Sequence, residues 1–136
     1  MGITLPKGAR VGRTPKAKAN NARFEDLLAF QIRSLGLPIP ERQYPFAQSV
    51  ERKFLADFAF PGYLLLVEVN GGIWRKGGGA HSHPSNIERD IKKQQCAVLL
   101  GFNLLPVTTD EVTSGEAVAI VQKALIVRGW NREGAS

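Results

Sequence analysis

Phe54-Leu55-Ala56-Asp57-Phe58-Ala59-Phe60-Pro61-Gly62-Tyr63-Leu64-Leu65-Leu66-Val67-Glu68-Val69-Asn70 is the stretch that decides the fold. Two short runs rich in aromatic and branched apolar residues flank a Pro-Gly turn, the pattern of adjacent strands in a hairpin. Asp57 interrupts the first run and Glu68 the second. Pairing Phe60 with Tyr63 sets Leu66 opposite Asp57 and Glu68 opposite Leu55. Side chains alternate along a strand, so Leu55, Asp57, Leu66 and Glu68 then share one face, with the acids on a diagonal. Diagonal neighbours lie about 7–8 Å apart at Cα, close enough for both carboxylates to reach one cation. An ionised carboxylate buried without a partner is costly, so the pair implies a metal or a dense hydrogen-bond network. Carboxylate oxygens suit a hard cation, Mg2+ or Mn2+. The competing reading makes Asp57 a hydrogen-bonded strand acid and Glu68 an exposed edge residue. Two acids on one face of facing apolar strands weigh against it.

The flanking segments complete a mixed α/β pattern. Phe24, Leu27, Leu28, Ile32 and Leu35 recur at helical spacing and stop at Gly36, which predicts a helix over residues 22–35. Prolines 38 and 40 exclude regular helix in the connector that follows. A first strand is expected over Arg42–Ala47, then a polar turn at Gln48–Glu51, then the Asp57 and Glu68 strands. Ser85-Asn86-Ile87-Glu88 has the form of a capping box and opens a helix expected over Asn86–Leu100. Residues 102–108 read as a fourth strand, and Pro106, which has no N–H to donate, places it at a sheet edge or marks its irregular end. A last helix is expected over Ser114–Val127, with Ala117, Val118, Val121, Ala124 and Leu125 inward. The predicted order is helix, three strands, helix, strand, helix: a mixed sheet with helices packed on it.

With 136 residues the chain supports one core. No apolar run approaches the ~20 residues that a membrane helix needs, and the start lacks the apolar region of a secretion signal. Cys96 stands alone, so neither an intrachain disulfide nor a Cys-rich zinc site is available; its apolar helical surroundings suit a structural thiol. These features point to a soluble protein of a reducing cytoplasm. The net charge of +6 is unevenly placed. Lys7, Arg10, Arg13, Lys16, Lys18 and Arg23 fall within residues 1–23, which contain no acid, and the remaining 12 basic and 12 acidic residues cancel. Residues 1–21 therefore read as a disordered basic arm, either a solubilising tail or an electrostatic contact with nucleic acid phosphates. The folded domain is expected over residues 22–130, with a tail at 131–136.

Immediately after Glu68 come Gly71 and Gly72, then a basic, glycine-rich loop with Arg75, Lys76 and both histidines, His81 and His83. Glycine permits close backbone approach by a ligand, and histidine can take a proton from an attacking water near neutral pH. Asp90 and Glu25, each early in a predicted helix, are also favourable there simply as acids near a helix N-terminus.

Taken together, Phe24-Glu25, Asp57, Glu68-Val69-Asn70-Gly71-Gly72-Ile73-Trp74, His81 and His83, Asp90 and residues 101–108 resemble the PD-(D/E)XK nuclease superfamily. The resemblance covers about residues 22–127 and is strongest toward small phage and bacterial endonucleases related to the very-short-patch repair enzymes. It implies a restriction-endonuclease-like αβββαβ core with a C-terminal helix, and Mg2+- or Mn2+-dependent hydrolysis of phosphodiester bonds in DNA. By position it makes Asp57 and Glu68 the metal-binding acids, Glu25 the acid of the first helix, His81 the general base with His83 as second choice, and Asp90 the supporting acid. One departure is plain: the superfamily's Glu-x-Lys is Glu68-Val69-Asn70 here. Either a histidine takes over as base, or Lys92 or Lys93 reaches in from the helix, or the chemistry is lost. Contacts to DNA are expected from Arg75, Lys76, Lys92 and Lys93 and from Arg10, Arg13, Lys16 and Lys18 of the arm. The alternatives are a non-catalytic nucleic-acid-binding module with a degenerate site and an RNA-directed nuclease. No base-reading motif is visible, so substrate choice falls to DNA shape or branching, or to a partner protein. The setting implied is the cytoplasm of a bacterial or phage-infected cell.

Overall fold

The computed structural model describes residues 15–71 and 84–133. Its elements are α1 (Pro15–Ser34), β1 (Glu41–Tyr44), β2 (Ala56–Phe60), β3 (Leu65–Asn70), α2 (Pro84–Leu99), β4 (Asn103–Thr108), α3 (Thr109–Ser114) and α4 (Glu116–Val127). The four strands lie in the order β1-β2-β3-β4. The first two pairings are antiparallel, and β4 joins β3 in parallel through the α2 crossover. The order through β4 and the fold class are as expected: a mixed α/β fold with a mixed sheet and flanking helices.

Alternation in the central strands divides the core between two faces. Phe58, Phe60, Val67, Val69 and Val107 pack with Leu28 and Ile32 of α1, Val112 of α3, and Val118, Val121 and Leu125 of α4. On the opposite face Ala59 and Leu66 pack with Ala97 of α2 and with Phe46 and Phe54 from the loop between β1 and β2. Every β2 residue is buried, as a strand with neighbours on both edges and helices on both faces requires. Each large apolar side chain enclosed in this way contributes roughly 1.5–3 kcal/mol relative to exposure.

Five details differ from expectation. Helix α1 begins at Pro15, seven residues ahead of Ala22, so residues 15–21 are helical rather than part of a disordered arm. Proline suits a first helical turn, where its missing N–H would have no intrahelical partner. The hairpin link is longer than Pro61-Gly62: residues 61–63 form a 3-10 turn closed by Leu64, which adopts a left-handed conformation at φ 52°. The register moves by two residues, pairing Phe60 with Leu65 and Phe58 with Val67. A shift of two preserves the faces, because side chains alternate with period two. The expected last helix is two helices, broken at Gly115 with φ 87°. Finally, β1 ends at Tyr44 rather than Ala47. Pro106 does lie on an edge strand, in register with Glu68. No helix of the described residues is long and apolar enough to cross a membrane.

Candidate active site

Continuing the observed registers sets Gln43 of β1, Asp57 of β2 and Glu68 of β3 in one row across the sheet. Asp57 and Glu68 therefore lie on neighbouring strands just beyond the last paired rung, Phe58–Val67, rather than on the expected diagonal. Both belong to the face covered by α2. The β2–β3 ladder ends at Phe58–Val67, and side chains satisfy the next rung. The Val69 N–H donates to Asp57 Oδ2 at 2.9 Å, and the Val69 carbonyl accepts from Asn21 Nδ2 of α1 at 3.3 Å. The strands splay where the acids sit.

Asp57 is buried, with a relative exposure of 6%. The Val69 amide holds Oδ2, while no donor among the described residues reaches Oδ1, and that atom is not fully enclosed. The backbone bond to Oδ2 fixes the orientation of this buried carboxylate. Glu68 lies opposite and takes a hydrogen-bonded ion pair from Lys93 Nζ of α2. Lys93 is itself buried at 8%, and an ammonium so enclosed requires an anionic partner.

Lys92 and Lys93 were alternatives in sequence. The helix separates them: Lys92 is exposed, whereas Lys93 lies one turn before buried Ala97 and faces the sheet. The cation absent at Asn70 in sequence is thus present beside Glu68 in space. Asp90, half-buried, sits three residues ahead of Lys93 on α2. His81, His83, Arg75 and Lys76 lie outside the described residues, as do Arg10 and Arg13. Lys16 and Lys18 fall in the first turns of α1.

Glu25 approaches from the other side. It is buried at 6% on the α1 stripe that carries Asn21 and Leu28, and its Oε1 accepts from Gln43 Nε2 at 3.0 Å. Among the described residues, no three of His, Cys, Asp and Glu gather into a metal-holding group, so Glu25 does not join Asp57 and Glu68 as a third direct ligand. It is tied to them instead through Gln43, across the sheet from Asp57. Gln43 has a positive φ of 50°, an uncommon backbone state for a residue with a side chain. Sequence reasoning passed over Gln43, because a backbone outlier leaves no mark on residue type. It also passed over Asn21, which lay in the segment read as an arm.

The donor set fits a hard divalent cation. Mg2+ is commonly held by one or two carboxylates, with waters and substrate phosphate completing its shell. Asp57 and Glu68 supply two carboxylates on neighbouring strands, with the Lys93 ammonium paired to Glu68.

No family model matches the chain, and no solved structure matches it. Over 77 residues it is 31% identical to an uncharacterized protein of Mycobacterium tuberculosis strain H37Rv, and equally so to an uncharacterized protein of strain CDC 1551. The matched segment covers 57% of this chain but 26% of each relative, so the chain corresponds to about a quarter of their length.

Proposed function

We propose that the protein is a divalent-metal-dependent endonuclease that hydrolyses phosphodiester bonds in DNA, with Asp57, Glu68 and Lys93 as its working residues. The observation that carries this reading is the splayed rung of the sheet. There a buried aspartate oriented by the Val69 amide lies on the strand next to a glutamate paired with a buried lysine. Asp57 and Glu68 would hold Mg2+ or Mn2+. Bound there, the cation would supply charge neutralisation at the scissile phosphate and at the leaving oxygen.

The chain's own groups account for the rest. The Val69 amide fixes the orientation of the Asp57 carboxylate. Lys93 offers its ammonium protons to the attacking water or to a phosphate oxygen, the role for which Asn70 has no charge. Glu68 orients that ammonium through its ion pair. His81 is retained as the candidate proton acceptor, with His83 behind it and Asp90 in support. Glu25, steered by Gln43, adds negative potential behind the row.

Incubation of supercoiled plasmid with the protein and Mg2+ tests the reading. Nicked and linear products should appear, disappear with EDTA, and be absent with Asp57→Ala. Tight DNA binding without cleavage in either Mg2+ or Mn2+ would assign the chain to non-catalytic binding modules, and preference for RNA would move the substrate class.

A further inference from the structure

Phe54, buried at 5%, stacks on Phe46 with ring centroids 6.3 Å apart. Two guanidinium groups lie against it, Arg52 Cζ at 5.2 Å and Arg89 Cζ at 5.3 Å from the ring centroid. Neither arginine belongs to the ion pairs Arg42–Asp26 and Lys93–Glu68. Arg89 Nε is fully enclosed and has no hydrogen-bond partner. An enclosed donor on a charged group without an acceptor is costly, and native structures ordinarily satisfy it. Two cations held on one ring, one with an orphaned donor, are the chemistry of an anion site. Contact with the ring restrains both guanidinium groups, and guanidinium forks match phosphate oxygens in pairs.

Position identifies the anion. Arg89 precedes Lys93 by one turn of α2, about 6 Å along the axis. Phe54 lies three residues before Asp57, and its cluster packs on the α2 face that carries Asp57 and Glu68. A duplex strand advances about 3.4 Å per nucleotide. Arg89 therefore lies one helical turn from Lys93, close enough for the arginine pair to meet a phosphate neighbouring one at the acids. We propose that Arg52 and Arg89 form a phosphate clamp that grips a DNA phosphodiester next to the one cleaved, and so sets the register of the strand in the site. The clamp rests on the endonuclease reading for its register, but it binds without metal.

The test is DNA binding in EDTA over a range of salt concentrations. It compares the wild type with Arg52→Met, Arg89→Met and the double variant, because methionine keeps an apolar stem on Phe54. Each neutralised phosphate contributes about 0.9 to the slope of log K against log salt. If the two arginines share one phosphate, either single change lowers the slope by about 0.9, and the double change lowers it no further. In the wild type, the Arg89 Nε–H resonance should shift on addition of duplex DNA; this readout stands even if a methionine variant fails to fold. An unchanged slope in folded variants, or an unmoved Nε–H resonance, would overturn the clamp while leaving metal-dependent cleavage by the acids intact. Failure of the wild type to bind DNA in EDTA would overturn it as well. Clamp behaviour without Mg2+-dependent cleavage would keep the clamp and remove the endonuclease reading.

Discussion

Lys93 is the residue on which the proposed chemistry turns, and the reason lies in charge. Asp57 and Glu68 lie on adjacent strands, and Lys93 supplies the positive charge paired to Glu68. Removing one member of an enclosed ion pair leaves a charge uncompensated, which costs on the order of 3 kcal/mol. Lys93→Met should therefore lower the melting temperature in EDTA and abolish cleavage. Mn2+ should restore more stability to this variant than to the wild type, since a bound cation takes over the neutralising role. Differential scanning calorimetry with and without Mn2+ reads both effects. Gly71 makes a second residue-scale prediction. A Cβ there would meet Asn21 Oδ1 at 2.8 Å and Thr109 Cγ2 at 3.1 Å. Gly71→Ala should cost about 1–3 kcal/mol in urea unfolding, because it pushes on the α1 side chain that holds the Val69 carbonyl. Much of the site was legible at this scale. The acids and their shared face followed from strand alternation. Lys93 could have been preferred to Lys92 from its spacing to Ala97, whereas nothing in the residue type of Gln43 announces its positive φ.

Among the elements, the hairpin and both main helices were legible from periodicity, and the errors fell at their ends. Leu64 continues an apolar run and reads as strand, yet it closes the 3-10 turn in a left-handed state, and this moved the register by two. Alternation hides an error of two, so the site survived it. The start of α1 was hidden because Lys16, Ala17, Lys18 and their neighbours carry no apolar stripe. The break between α3 and α4 did have a signal. Thr108-x-x-Glu111 is a capping box, with the Glu111 N–H donating to Thr108 Oγ1 at 3.1 Å and the Thr108 N–H to Glu111 Oε1 at 2.8 Å. Thr108→Ala should cost about 1 kcal/mol of stability by chemical denaturation. The effect should reach α1, because Gln31 Nε2 donates to the Val112 carbonyl of α3 at 3.1 Å.

For the whole molecule, the sheet places its acids on the α2 face while the excess positive charge sits at the N-terminal end of the sequence. Residues 1–14 lie ahead of α1 and contain Lys7, Arg10 and Arg13 with no acid. Their deletion spares Asn21, so the melting temperature should hold while DNA affinity falls and the salt slope drops by as much as about 2.7. An unchanged slope would make the segment a solubilising tail. The claim on which the rest depends is that Asp57 and Glu68 together bind a divalent cation. Calorimetric titration of metal-free protein with Mn2+ measures this directly. The wild type should show saturable binding that Asp57→Ala/Glu68→Ala abolishes, with the double variant still folded by circular dichroism. Equal Mn2+ affinity in the wild type and the double variant would contradict it.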